Sequence, residues 1–84
     1  MARLEKEIEH VIKRYYKVGN EDRDFYLKIG EKFAAFCREQ NVDHLRNLRP
    51  ETVEIFQKKF PEESTKTLCK NVFNEKLFER YEKN

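Results

Sequence analysis

Apolar side chains recur at helical spacing in the middle of the chain, and this periodicity constrains the fold more than any other feature. Four of them lie three or four residues apart and therefore share one face of a helix. They are Tyr26, Ile29, Phe33 and Phe36. After a short link, Pro50 suits the first position of a second helix, because the N–H that proline lacks would be unpaired there. The remaining elements are expected to pack around this pair of helices.

The scarcity of turn residues extends the helical interpretation to the whole chain. Two Gly and two Pro occur among 84 residues, which leaves little turn chemistry for β-hairpins. We therefore expect an all-α fold, a single domain over residues 1–84 built as a compact bundle of four helices with short links. The helices are predicted at about 3–17, 21–40, 50–60 and 65–81.

Residues typical of helix ends and crossings set those boundaries. Gly19 is expected to cap the first helix through a positive φ, while Asn20 begins the second helix and Ser64 the fourth. Gly30 lies inside the second helix at a cost of about 1 kcal/mol relative to Ala, so it predicts a close crossing of another helix. The apolar stripe of the first helix is predicted to be Leu4, Ile8, Val11, Ile12 and Tyr15.

The cysteine, histidine and apolar content excludes several classes of protein. Cys37 and Cys69 are too few for a disulfide framework, which indicates a reduced, intracellular, cytoplasmic protein, and Cys69 is expected to fill the core. His10 and His44 stand alone in the sequence, so we expect surface positions for both and no metal site. No apolar run approaches the ~20 residues of a membrane span.

The sequence lacks the residue patterns that carry catalysis. Two isolated glycines cannot form a phosphate-binding loop, and no Ser-His-Asp or Cys-His grouping is evident. Carboxylates have basic neighbours at helical spacing, as Glu9 has Lys13 and Asp24 has Lys28, which is typical of solvated ion pairs. We therefore expect neither an enzyme active site nor a cofactor.

Basic side chains form two local clusters in a chain whose overall charge is nearly balanced. The net charge is +2, from 18 basic and 16 acidic side chains, so nucleic-acid binding would depend on local clustering. The cluster on the fourth helix is Lys66, Thr67, Lys70, Asn71 and Asn74. The cluster on the second helix is Arg23, Lys28 and Lys32. The alternative is an ordinary solvated face, since Glu75 and Glu79 continue the fourth helix and neutralise it.

The order of residues in the first half of the chain resembles the N-terminal core-binding domain of the tyrosine recombinases, the phage integrase and Xer-type family. In that family an aromatic helix carries a Tyr and, seven residues later, a Phe, as Tyr26 and Phe33 do here. Phe36 and Cys37 occupy the aromatic or aliphatic pair that follows. The family's (I/L)-T-P-E helix start corresponds to Leu48-Arg49-Pro50-Glu51.

The resemblance continues into the last helix, so that it covers nearly the whole chain. This helix commonly opens with S-x-x-T in the family, as in Ser64-Thr65-Lys66-Thr67. It ends in an aromatic cluster, which here consists of Phe73, Phe78 and Tyr81.

The resemblance implies a SAM-like bundle of the integrase N-terminal domain type that clamps one side of a recombination site on double-stranded DNA. In the family the second and fourth helices approach the major groove, which implies that ten side chains lie near DNA. They are Arg23, Lys28, Lys32, Ser64, Thr65, Lys66, Thr67, Lys70, Asn71 and Asn74. Ser64 and Thr65 are expected to bond phosphate at the helix N-terminus. The catalytic residues would belong to a separate catalytic domain, so this chain would bind duplex DNA without cleaving it.

A protein-interaction module built on the same SAM-like bundle is the alternative function, as a homodimer through the first helix. Exposed Tyr16, Phe25 or Phe78 would then form the patch for a partner. The predicted partners are therefore duplex DNA, a second copy of the chain or a separate catalytic domain.

Overall fold

Residues 3–82 are described by a computed structural model, with side chains described through residue 80, and they form helices joined by short links. The elements in chain order are α1 (Arg3–Tyr15), α2 (Arg23–Glu39), a 3₁₀ helix (Leu45–Asn47), α3 (Pro50–Lys59), α4 (Glu63–Asn71) and α5 (Glu75–Glu82). The described part of the chain contains no strand, so the predicted all-α bundle is confirmed. The side chain of Tyr81, expected in the terminal aromatic cluster, lies outside the described residues.

Helix α1 buries one face, as its sequence predicts, except at its last turn. Leu4, Ile8, Val11 and Ile12 are buried. The prediction for Tyr15 is wrong: it is 54% exposed, and Tyr16 is buried in its place at 6% exposure. The physical reason is helical spacing. The N–H of Tyr16 still bonds to the carbonyl of Ile12 at 2.8 Å, so Tyr16 continues the line of Ile8 and Ile12 into the core. Tyr15 lies four residues after Val11, at the edge of the buried face.

Helices α1 and α2 form an antiparallel pair whose close approach depends on Gly30. The start of α1 lies beside the end of α2, where Arg38 and Glu5 form an ion pair. At the middle of the pair, a Cβ added to Gly30 would overlap Cδ1 of Ile12 and lie 3.3 Å from Cγ2 of Ile8. The predicted helix crossing at Gly30 is therefore confirmed.

A group of aromatic rings joins α2 to the second half of the chain. The ring of Phe33 lies 4.8 Å from that of Phe56 on α3 and 4.4 Å from that of Phe73, which follows α4. Phe36 extends the contact, with its ring centroid 5.5 Å from that of Phe56. Phe33 and Phe56 are fully buried, so the periodic aromatic run around which the sequence was expected to fold does form the centre of the core.

Both ends of α2 differ from the boundaries predicted at 21 and 40. Helix α2 begins at Arg23, and the Oδ1 of Asn20 accepts a 2.8 Å hydrogen bond from the backbone N–H of Asp22 in the preceding turn. Gly19 adopts the predicted positive φ of 96°, but within that turn and not directly after α1. At the other end, Asn41 has φ 62° and its N–H bonds to the carbonyl of Arg38, a left-handed helix cap.

The prediction of a single helix over 65–81 is wrong. Two helices, α4 and α5, occupy this region and are separated by a turn at 72–74. Ser64 does not begin α4; it is the second residue of the helix, and Glu62 occupies the N-cap position. Asn74 makes the break. Its side-chain oxygen accepts the backbone N–H of Lys76 at 3.0 Å, while its side-chain amide donates to the carbonyl of Lys70 at 2.7 Å. Asn74 therefore caps the start of α5 and the end of α4 together.

Candidate nucleic-acid interface

A groove of about 430 Å³ lies between the last turns of α1, the end of α4 and the first turns of α5. Its cationic residues are Arg14, Lys70, Lys76 and Arg80. The remaining lining residues are Val11, Tyr15, Asn71, Val72, Asn74 and Leu77. None of these lining residues carries a carboxylate, so the groove, called the basic groove below, attracts anions.

Local sequence explains why cations gather at this point of the fold. Arg14 lies in the last turn of α1 and Lys70 in the last turn of α4. Basic side chains are favoured there because the C-terminal end of a helix carries partial negative charge. Lys76 and Arg80 are four residues apart on α5, which places them on one face of that helix. Two helix ends and one helix face thus contribute to the same groove.

The two asparagines of the basic groove serve the fold. The side-chain amide of Asn71 donates a 2.9 Å hydrogen bond to the hydroxyl of Tyr16 and so ties α4 to the end of α1. Burial raises the pKa of that Tyr16 hydroxyl. Asn74 holds the α4–α5 turn through its amide and its oxygen. The Asn74 amide cannot donate to a base edge without weakening its two bonds to the turn. The bond to Tyr16 uses one of the two amide hydrogens of Asn71, so the predicted contact of Asn71 with DNA stays a prediction.

The other residues predicted on the fourth helix are placed differently from one another. Lys66 is exposed, whereas Ser64 and Thr67 are half-buried, and the hydroxyl of Thr67 donates to the carbonyl of Glu63 at 3.0 Å. The prediction that Thr65 contacts phosphate is wrong, since its side chain is only 4% exposed. Thr65 lies three residues before Leu68 on the buried face of α4, which faces the core.

The basic strip predicted on α2 does not reach the basic groove. Lys28 and Lys32 are exposed, and the Nζ of Lys32 lies 5.9 Å from the ring centroid of Phe60, at the end of α3. Arg23 is half-buried, and its Nε is buried without a hydrogen-bond partner among the described residues. None of the three lines the basic groove, which is formed by α1, α4 and α5, so the predicted strip on α2 lies outside it.

Four of the polar or aromatic residues that line the basic groove were not found from the sequence: Arg14, Tyr15, Lys76 and Arg80. Lys76 and Arg80 carried a usable signal, because their spacing of four places both on one side of a helix. Arg14 and Tyr15 carried none, since the contact between α1 and the α4–α5 turn joins segments more than fifty residues apart, as the Tyr16–Asn71 bond shows.

A second groove, of about 390 Å³, lies on another side of α1, along its contact with α2. Its charged residues are Glu5, Glu9, Lys13 and Glu31, and its apolar floor consists of Ile8, Ile12, Leu27, Gly30 and Ala34. The Nζ of Lys13 donates to Glu9 at 2.7 Å, and this hydrogen bond and the charge of Lys13 lower the pKa of Glu9. This acidic groove therefore has carboxylates at its rim, of which Glu5 and Glu9 are already paired.

The side chains with reactive or metal-binding potential are placed as follows. Cys37 and Cys69 are buried free thiols, which confirms Cys69 as core filler, and burial raises the pKa of both to about 12. His10 is exposed, but His44 is half-buried with its Nδ1 3.8 Å from Glu7, so its predicted surface position is only partly correct. The described residues hold no cluster of three or more His, Cys, Asp or Glu side chains placed to bind a metal ion.

Of the three aromatic residues predicted to form a patch for a protein partner, two are buried or half-buried within the fold. Tyr16 is buried, and Phe78 is half-buried and packs against the core, so neither forms the predicted patch. Phe25 is 51% exposed, as that interpretation requires.

Within residues 3–82, no helix combines the length and apolar character needed to cross a bilayer.

Comparison with known proteins found no relative of this chain. A scan of protein-family models, a search of curated proteins and a search of solved structures each found no match to the chain. The resemblance to the core-binding domain of tyrosine recombinases therefore stays a prediction that depends on the residues quoted above.

Proposed function

We propose that this domain binds DNA by holding backbone phosphates in the basic groove. The observation that supports the proposal is that four cationic side chains, Arg14, Lys70, Lys76 and Arg80, line one groove whose lining has no carboxylate. Lys and Arg are the principal phosphate ligands of DNA-binding proteins, and a groove walled by low-dielectric protein concentrates their field. A net charge of +2 is compatible with this function because the charge is local.

The proposed contacts are independent of base sequence. Sequence is read by donors and acceptors that reach base edges, and amide side chains are typical readers. The Asn74 amide is occupied by the backbone of the α4–α5 turn, and one hydrogen of the Asn71 amide is bonded to Tyr16. The contacts proposed here join basic side chains to phosphates, and such contacts fix position along the chain and carry no sequence information.

The proposal includes no catalytic step. Both thiols are buried with a pKa raised to about 12, which leaves Cys37 and Cys69 protonated and out of contact with a substrate. In the role implied by the resemblance to tyrosine recombinases, a separate catalytic domain would cleave the strand while this bundle holds the flanking DNA.

The experiment is a fluorescence-anisotropy titration of labelled DNA with matched lysine variants. The groove pair is Lys70→Gln/Lys76→Gln, and the control pair is Lys28→Gln/Lys32→Gln, which removes the same charge from the exposed face of α2. From the counterion-release slope, we expect the groove pair to lose roughly tenfold in affinity per lysine at about 50 mM salt. The control pair should stay within about twofold of the unmodified chain, as for ordinary surface changes.

Two results of this titration would overturn the proposal. The first is an unmodified chain that does not bind DNA at low salt. The second is a loss of affinity in the α2 pair with none in the groove pair, which would return the interface to the strip predicted from the sequence.

A protein-interaction module is the second candidate, and one observation favours it. Val18 is 85% exposed and Phe25 is 51% exposed, the first in the turn between α1 and α2 and the second in the first turn of α2. The apolar stripe of α1 is buried within the chain, so a dimer would use this turn and not the predicted face of α1. Sedimentation distinguishes the two functions, since a concentration-dependent dimer that does not bind DNA would support this candidate.

A further inference from the structure

One exposed aromatic ring lies among the cations of the basic groove. Tyr15 lines the groove and is 54% exposed, although large apolar side chains elsewhere in the chain are mostly buried. It lies next to Arg14 in the last turn of α1 and shares the groove with Lys70. An exposed ring beside phosphate-binding cations is the arrangement on which unpaired bases stack in single-strand-binding proteins.

The ring of Tyr15 packs against the buried ring of Tyr16, which contacts a further ring, that of Tyr26. It meets Tyr16 edge-on, with centroids 4.8 Å apart and planes at 64°. Tyr16 in turn stacks on Tyr26 at 4.5 Å and 20°, and its hydroxyl accepts the amide hydrogen of Asn71. Such contacts restrict the motion of an exposed ring, so a base that stacks on it meets a surface already in place.

The shape of the groove also favours a single strand. Proteins that read duplex DNA insert a convex helix or ribbon into the major groove. Here the cations line a concave surface of about 430 Å³, and the amide of Asn74 beside them is held by the carbonyls of Lys70 and Asn71. A concave basic groove that follows the backbone, with a ring to receive a base, suits an unpaired strand.

We infer that the basic groove binds an unpaired DNA strand in preference to a duplex, with a base stacked on Tyr15 and the neighbouring phosphates held by Arg14, Lys70 and Lys76. This inference rests on the proposed DNA-binding function and names its substrate. It departs from the duplex predicted from the sequence. The same arrangement would serve a frayed end or a melted segment within a duplex, because each exposes one unstacked base.

The test compares an oligothymidine of about 12 nucleotides, within the ~4–16 nucleotide range of such sites, with a duplex of the same length. The variants are Tyr15→Leu, which removes the ring, and Tyr15→Phe, which keeps it. Phe25→Leu is the matched control, because Phe25 is 51% exposed, meets Tyr26 edge-on at 5.3 Å and does not line the groove. Circular dichroism on each variant confirms that the helices are retained.

We expect tighter binding of the oligothymidine than of the duplex, and a loss of about 5- to 150-fold in Tyr15→Leu, the range measured for removing a stacking ring. Tyr15→Phe and Phe25→Leu should stay close to the unmodified chain. Equal affinity for both DNAs, with no effect of Tyr15→Leu, would overturn the inference while leaving the DNA-binding proposal intact. Absence of binding to either DNA would overturn both.

Discussion

The two grooves that flank α1 are similar in size and opposite in charge. The basic groove, of about 430 Å³, is lined by Arg14, Lys70, Lys76 and Arg80, whereas the acidic groove, of about 390 Å³, has Glu5, Glu9 and Glu31 with Lys13 at its rim. The difference follows partly from α1, because Glu5 and Glu9 line the acidic groove while Arg14 in the last turn lines the basic groove. The charge order that suits the helix dipole thus gives one helix two unlike surfaces.

The grooves also differ in how their charges are balanced. In the acidic groove, Glu9 pairs with Lys13 and Glu5 pairs with Arg38. Arg14, Lys70 and Lys76 form no ion pair among the described residues. The acidic groove is therefore largely balanced by the protein itself, while Arg14, Lys70 and Lys76 of the basic groove are left to pair with anions from outside. The pairing of charges within the fold, more than their number, therefore distinguishes the two grooves.

The largest expected effect is a loss of unfolding free energy when the floor of the acidic groove is filled. Gly30→Val adds a branched side chain where even a Cβ would overlap Ile12, and overpacking of this kind costs about 1–3 kcal/mol of unfolding free energy. Because Gly30 does not line the basic groove, DNA affinity should stay within about twofold wherever the chain is folded.

Urea unfolding of Gly30→Val is compared with that of Ala35→Val, an exposed position on the same helix. This control carries only the helix-propensity cost of a β-branched residue, up to about 0.7 kcal/mol. If Gly30→Val proved as stable as Ala35→Val, the close helix crossing described here would not exist in solution.

A smaller effect, specific to the basic groove, is expected from Asn74→Ala. Loss of an N-cap side chain costs roughly 0.5–2 kcal/mol. It also frees the α4–α5 turn, so that Lys76 and Arg80 are no longer held opposite Arg14, and DNA affinity should fall.

Asn20→Ala is the matched control for this second change. Asn20 accepts a similar bond from Asp22, at 2.8 Å, but lies in the turn between α1 and α2 and does not line the basic groove. Thermal unfolding should show a modest loss for both variants, whereas DNA titration should show weaker binding for Asn74→Ala alone. Equal DNA affinities for the two variants would mean that the position of α5 does not matter for binding.

The fold was largely predictable because apolar periodicity reports directly on burial. Phe33 and Phe56 lie at the centre of the core, and Gly30 lies at a helix crossing, as their spacing and type predicted. The missed break between α4 and α5 has a local cause: Val72 and Phe73 continue the apolar pattern of α4, so the period alone shows no interruption. Asn74 followed by Glu75 was the contrary signal, an N-cap residue with an acid in the first turn.

The candidate site was less predictable because it is assembled from distant segments. Lys70 was correctly singled out by its charge, but its partner Arg14 is on α1, and only tertiary packing brings them together. Thr65 was misplaced because a short polar side chain gives no signal of which helix face it occupies. Tyr15 and Tyr16 are identical in type and adjacent, and Tyr16 is the buried one because it continues the line of Ile8 and Ile12 at a spacing of four.

The most direct test of the central claim, that the basic groove binds a phosphate chain, is the salt dependence of oligothymidine binding. For a single strand, log K falls with log salt at about 0.7 per phosphate neutralised, so use of Arg14, Lys70 and Lys76 predicts a slope of about −2.1. Lys70→Gln/Lys76→Gln should reduce the magnitude of that slope by about 1.4, and Lys28→Gln/Lys32→Gln should leave it unchanged. A slope near zero, or one that the groove pair does not alter, would contradict the claim.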